Sequence, residues 1–265
     1  LTGSHVILSG GSSGIGLALA GIYLGNGSRV TLIGRSADRL QDAASRLQAS
    51  RSTNADRIRL AAVDVSDATA LAAAIAEAQS VFGPCDILIT SAGIVLPGLL
   101  HTAADSAVRE QIETNLIGTI NAAQAVYAGM RQRGRGTILF ISSAAALIGI
   151  PGYAAYCASK AGLTGFADSL RMEAEPAGIH VAICYPPDTD TPQLAGELAH
   201  RPPEAGVIMG HVKPWPADKV AEHIVRGLDQ GRHEIFFGLT LHLLARFGSL
   251  VKPILTWWFL RRISR

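Results

Sequence analysis

The run "HVILSGGSSGIGLALAGIYL", residues 5–24, changes its periodicity halfway. His5 to Leu8 is nearly all apolar, as a strand covered on both faces requires. Leu17 to Leu24 is an apolar stretch suited to a helix. Between them stand Gly10, Gly14 and Gly16, spaced Gly-x3-Gly-x-Gly. Glycine permits a sharp turn and a close approach of backbone to a pyrophosphate, and the helix that follows offers free N–H groups and a positive dipole end. An ordinary glycine turn is the plain alternative. The position between first strand and first helix favours a nucleotide cradle made by Gly10, Ser12, Ser13, Gly14, Ile15 and Gly16.

The same alternation continues along the chain. "RVTLIGR", "RIRLAAVDV", "DILITSAG", "GTILFISS" and "HVAICYPP" are strand-length apolar runs bounded by polar or glycine positions. Residues 38–50, 68–82, 104–133 and 156–177 are long enough for crossover helices. This predicts an α/β fold, a Rossmann-type doubly wound parallel sheet of about seven strands with helices on both faces. With 265 residues, 48% of them hydrophobic, and no repeat or linker, residues 1–235 are expected to form one domain. Residues 236–265 form a hydrophobic C-terminal tail, where much of the chain's high mean hydropathy of +0.27 sits.

The second strand ends in "LIGRSADRL". An acidic residue near this point receives the ribose hydroxyl in NAD-binding sheets. Here Gly34 precedes Arg35, and Arg39 follows one turn later. No carboxylate repels a 2′-phosphate and guanidinium groups are placed to clasp one, so NADP(H) is the expected cofactor. Two solvated surface arginines are the alternative.

Ser143 closes the strand "TILFISS", Tyr156 lies 13 residues later, and Lys160 follows Tyr156 by four. Tyr and Lys at i and i+4 share one helix face. A nearby ammonium favours phenolate, which makes Tyr156 a proton donor or acceptor for a carbonyl or alcohol. Ser143 is placed to hydrogen-bond the same oxygen. YxxxK alone is a weak signal, but with the glycine turn and Ser143 it is strong. On these residues the chain resembles the short-chain dehydrogenase/reductase family over residues ~4–230.

The resemblance implies hydride transfer between a nicotinamide and a carbonyl carbon, with Ser143, Tyr156 and Lys160 catalytic and Asn115 of "NLIG" supporting a water-linked relay to the lysine. It implies cofactor contacts from Asp64 and Val65 of "VDV", from Ala92 and Gly93 of "TSAG", and from Tyr156 and Lys160. Pro186, Thr189 and Thr191 after the sixth strand join them, a threonine bonding the nicotinamide amide. Ser9 and Thr90–Ser91 depart from the residues usual in the family. Family habit implies a homodimer or homotetramer through the 104–133 and 156–177 helices.

The net charge of +2 supplies no field for nucleic acid, and the histidines, His211 among them, lack metal spacing. Cys85, Cys157 and Cys184 form no framework, as in a reducing compartment. Cys157, beside Tyr156, points elsewhere on the helix and is read as packing. Leu1 to Leu8 runs straight into a strand without a leader pattern, and the missing initiator Met suggests a trimmed chain. A cytoplasmic location is expected, on the cytoplasmic face of a membrane if the tail binds lipid.

The turn "YPPDTDTP", residues 185–192, replaces the Pro-Gly usual in the family. It resembles the group within the family that reduces the long-chain ketone 3-ketodihydrosphingosine, with NADPH as reductant. An NADP-dependent reductase or dehydrogenase for a steroid, retinoid, fatty-acyl or xenobiotic carbonyl shares every catalytic residue. A non-catalytic NADP(H)-binding interaction protein is the alternative of another class. Asp188 and Asp190 look like turn residues, one of them a candidate contact for a sphingoid amino group. The substrate pocket is expected from residues 94–100, 147–153 and 192–213. In the tail, Leu243, Leu244, Phe247, Leu250, Val251 and Ile254 recur at helical spacing, opposite His242, Arg246, Ser249, Lys252 and Thr256. With Trp257–Trp258 and the basic "RRISR" end, this reads as an amphipathic helix lying on anionic lipid, or equally as a subunit-interface helix.

Overall fold

The computed structural model describes residues 3–51, 55–210 and 213–263. The first half alternates β1 (His5–Ser9), α1 (Gly14–Gly25), β2 (Arg29–Gly34), α2 (Ala37–Arg51), β3 (Ile58–Ala62), α3 (Ala68–Phe82) and β4 (Ile87–Thr90). After it come α4 (Asp105–Ile112), α5 (Gly118–Arg133), β5 (Gly136–Ile141), α6 (Ala154–Ala174) and β6 (Ile179–Tyr185). Then follow β7 (Thr189–Asp190), α7 (Pro192–Leu198), α8 (Pro203–Met209), β8 (Trp215–Pro216), α9 (Ala217–Asp229), β9 (Glu234–Phe236) and α10 (Gly238–Ile263). Seven strands form one sheet in the order β3-β2-β1-β4-β5-β6-β9, every pair parallel. This is the doubly wound α/β sheet expected from the alternation.

Strand alternation divides the core between the two faces. Val6 and Leu8 of β1 pack with Leu19 and Leu24 of α1 and with Val220 and Ile224 of α9. Ile7 points the other way, into the layer of Leu71 and Ile75 of α3, Val126 of α5 and Leu163 of α6. β1 has no exposed residue, which is why its run carries no polar alternation. Strand order reverses between β1 and β4, so a crevice opens beyond their carboxyl ends, where ligands bind in sheets of this kind.

Three features depart from the sequence expectations. The single helix expected over 104–133 is two helices joined by a π-turn, Glu113–Ile117, which displaces Asn115 into the interior. β7 pairs with β8, which brings the ends of the excursion carrying α7 and α8 together beside the crevice. The third concerns α10. Of the apolar face read from the sequence only Leu244 turns inward; Leu243, Phe247, Leu250, Val251 and Ile254 are exposed. The covered stripe is Leu241, Leu244, Ala245 and Gly248, continued by Leu255 and Phe259. Apolar residues surround this helix, so no single amphipathic face can be read from their spacing. Among the described residues no helix is long and apolar enough to cross a membrane.

Candidate active site

A cleft of about 1380 Å³ runs from the glycine turn, past the ends of β4 and β5, to the inner side of α10. That exceeds the roughly 300–1,000 Å³ of a pocket for one small ligand. At one end Gly10 has φ +71° and Gly14 φ +56°, a region that side chains rarely adopt. Ser13, the residue before α1, makes no side-chain cap, so first-turn N–H groups are free of one and stand at the positive helix end. Ser12, Ser13, Gly14 and Ile15 line the cleft with Gly10. Gly16 does not. A Cβ there would come within 2.4 Å of the Gly10 carbonyl oxygen, so this glycine serves close packing of helix on turn. The bare turn and open helix end fit the pyrophosphate of a dinucleotide.

Arg35 and Arg39 line the same end but are held differently. Arg35 is drawn to Glu110 at 3.5 Å and Asp64 at 4.0 Å. Arg39 donates to the Ser13 hydroxyl at 3.4 Å, reaching from α2 to the glycine turn. Burial opposes ionisation of Asp64, but the Ser66 N–H and hydroxyl, with Arg35, hold its carboxyl below the usual range. Val65, Ala92, Gly93 and Pro186 also border the cleft. So do Thr189 and Thr191, whose hydroxyls have local work: Thr189 donates to the Pro187 carbonyl, and Thr191 accepts from the Leu194 N–H as the cap of α7. Of the departures from family habit, Ser9 accepts from the Ala92 N–H at 3.4 Å, and Ser91 N–H donates to the Ser9 carbonyl at 3.0 Å.

Midway along the cleft, Ser143 at the end of β5 and Tyr156 and Lys160 on one face of α6 come together. Burial pushes the Tyr156 phenol above its ordinary value; Ser143 opposes the rise, while Glu197 and Asp188 add to it. The lysine was expected to pull this phenol down, and in the structure it does not. Its ammonium stands 5.8 Å from the Tyr156 ring centre, donates to the Ile141 carbonyl at 3.0 Å, and is itself drawn down to about 8 by burial. Desolvation therefore outweighs attraction.

Asn115 lies behind the cleft wall and does not line it. Fully buried, it accepts from the Ile94 N–H at 2.8 Å and donates to the Ile94 carbonyl at 2.9 Å and the Ser159 hydroxyl at 3.1 Å. A side chain at Gly93 would press on Asn115 Oδ1 and Lys160 Nζ, at 3.3 and 3.4 Å from its Cβ. Cys157 packs beside Ile150 and Tyr153, half-buried, its thiol pushed up by burial.

Beyond Tyr156 the cleft becomes apolar. Val95, Leu96, Ile148, Ile150 and Leu194 come from the three segments expected to form a substrate pocket, joined by Leu244, Leu255 and Phe259 of α10. His211 and Val212 of the third segment, and Ser264 and Arg265 of the basic end, lie outside the described residues. Four polar residues in or behind this wall, three of them within the expected segments, were not singled out from the sequence. Tyr153, Glu197 and Arg201 form a network with Asp188, and Gln111 holds the Leu96 backbone through its N–H at 3.0 Å. An acid and a base four apart in "GELAHR" were the signal for Glu197 and Arg201. Asp190 is exposed on β7.

The family model described as short chain dehydrogenase matches residues 4–201. A 3-ketodihydrosphingosine reductase of Bos taurus is 33% identical over 255 residues, covering 96% of this chain and 77% of that protein. A 3-dehydrosphinganine reductase of Arabidopsis thaliana is 36% identical over 249 residues, 93% of this chain and 72% of its own. Among solved structures, ElxO with NADP bound superposes with a TM-score of 0.76 at 25% identity, covering 88% of this chain and 97% of that one.

Proposed function

The chain belongs to the short-chain dehydrogenase family, and from that premise we propose that it reduces the ketone of 3-ketodihydrosphingosine to the alcohol with NADPH, as a step of sphingolipid synthesis. One observation carries the reading: the Ser143, Tyr156 and Lys160 cluster stands where a nucleotide-fitting end of one cleft meets an apolar end. The relatives' names support the substrate. Arg39 over the glycine turn, with Arg35 nearby, supports a 2′-phosphate.

The glycine turn, Ala92, Gly93 and Lys160 would hold the cofactor, which when bound supplies the hydride. Tyr156 donates the proton to the carbonyl oxygen. Its raised pKa keeps that proton in place at neutral pH, which suits reduction. Ser143 hydrogen-bonds the same oxygen and fixes its direction. Lys160 replaces the proton on Tyr156, and Asn115 braces Ile94 and Ser159 so that the wall at Gly93 stays open to the lysine. The alkyl chain lies among the apolar residues reaching α10, excluding water from the reacting carbon.

The reductase domain expected over residues 1–235 would then extend through β9 and the inner side of α10, and the outer side of the 236–265 tail would meet a lipid surface. Exposed Leu250, Ile254, Trp257 and Trp258 support this, with Arg261 and Arg262 stacked on the two tryptophans at 4.0 Å. The test of function is NADPH oxidation with 3-ketodihydrosphingosine against a steroid ketone and a short diketone. The long-chain substrate should win in kcat/KM by on the order of a hundredfold, given the apolar area it buries. Turnover of the others without it would overturn the assignment.

A further inference from the structure

Tyr153, Asp188 and Glu197 line the cleft beside Tyr156, from just before α6, the turn after β6 and α7, and Arg201 of the loop after α7 joins them from behind. Arg201 reaches Glu197 Oε1 at 2.6 Å, Asp188 Oδ2 at 3.2 Å and the Tyr153 hydroxyl at 3.2 Å. Tyr153 donates to the same Glu197 oxygen at 2.7 Å. These bonds use one oxygen of each carboxylate. Glu197 and Arg201 side chains are only 10% and 12% exposed, whereas Asp188, at 33%, is open to the cleft.

The charges do not cancel. Two carboxylates face one guanidinium, so one negative charge is left over beside the cleft. The buried Glu197 already pairs with Arg201 one to one, so Asp188, a third exposed, adds a negative charge that faces the cleft. The surplus is directed at the reaction centre: Tyr153 and Tyr156 rings lie 6.3 Å apart edge to face, and both acids bear on the Tyr156 phenol. Lys160, His200 and Lys213 also line the cleft, but Lys160 donates to the Ile141 carbonyl, and His200 and Lys213 are exposed, His200 contacting the Gly196 carbonyl. None of the three bonds to the network.

We propose that Asp188 and Glu197 form the subsite for a protonated amine on the carbon next to the reacting carbonyl. This rests on the assignment of Tyr156 as proton donor to a long-chain ketone. The subsite accounts for recognition of the 2-amino group of the proposed substrate. Arg201 is a positioning residue that holds the two acids apart, and Tyr153 fixes Glu197.

The experiment compares 3-ketodihydrosphingosine with the same ketone lacking its amine, using the full chain and NADPH. The unsubstituted chain should prefer the amine about tenfold or more in kcat/KM, the scale of a charged hydrogen bond, through KM. In Asp188→Asn and in Glu197→Gln the preference should collapse toward unity, while NADPH binding, followed by its fluorescence, shows that each variant is folded. Equal turnover of the two ketones, or a preference that survives in both variants, overturns the subsite and leaves the reductase assignment standing. Turnover of neither ketone overturns both.

Discussion

Lys160 donates to the Ile141 carbonyl at 3.0 Å and so ties the second turn of α6 to the end of β5. The bond is buried, and desolvation brings the ammonium from 10.5 down to about 8. Between those pH values the unfolded chain keeps a proton that the folded chain has released. The unfolded state then binds more protons, so this group's contribution to stability rises with pH across the window and is constant below it. Cys85, raised by burial from 9.0 to about 12, acts in the opposite sense above pH 9, as do the buried tyrosines. Lys160→Met should therefore lose stability more steeply at alkaline pH than the unsubstituted chain. In urea unfolding from pH 7.5 to 10.5 their difference should grow by up to roughly 3 kcal/mol. A difference independent of pH would mean that folded Lys160 keeps its proton throughout.

Tyr156→Phe removes the proton donor and leaves the ring beside Tyr153. Turnover should fall by about 10²–10⁴-fold. Because the loss belongs to the chemical step, it should appear in kcat, with KM for the ketone little changed. An equal loss confined to KM would reassign Tyr156 to substrate binding.

The site was legible where spacing alone brings groups together. Tyr156 and Lys160 share a helix face by their separation of four, and the glycine turn is announced by residues that tolerate positive φ. Six strands were legible because burial on both faces leaves unbroken apolar runs. β9 was not, since the three residues "EIF" carry no period. The π-turn at Asn115 has no residue signature, because its hydrogen bonds shift by one residue without changing side-chain chemistry. The Asp188–Arg201 pair was hidden too: it depends on how the excursion folds back after β7. The sense of the Tyr156 shift was misread because proximity in sequence says nothing of desolvation.

Asn115 spends its amide on both polar groups of Ile94 and on Ser159. Asn115→Leu keeps the volume and leaves the two backbone groups without that partner. Stability should drop by about 2–4 kcal/mol, the cost of orphaning buried polar groups, and turnover should fall with it. Urea midpoints measure the first and initial rates the second. A loss below about 1 kcal/mol would mean that water replaces the amide.

Arg39 and Arg35 should contribute unequally to cofactor choice. Arg35 is shared with Glu110 and Asp64, whereas Arg39 contacts the Ser13 hydroxyl and can turn to a phosphate. Arg39→Ala should reduce the kcat/KM preference for NADPH over NADH by about tenfold, and Arg35→Ala by less. Equal ratios in all three proteins would show that neither guanidinium reads the 2′-phosphate.

The outer side of α10 separates lipid from a second subunit as its partner. Leu250 and Ile254 are 72% and 67% exposed, so glutamate at both should leave the core intact. On lipid, each apolar side chain submerged is worth about 1.5–3 kcal/mol, and Lys252, Arg261 and Arg262 add attraction to anionic headgroups. Leu250→Glu with Ile254→Glu should therefore weaken binding to phosphatidylserine-containing vesicles by at least about a hundredfold. High salt should weaken what remains, because the basic contribution is screened. Co-sedimentation with vesicles and analytical ultracentrifugation without them separate the two partners. If vesicle binding is unchanged while an oligomer dissociates, the face is a subunit contact and the lipid reading fails.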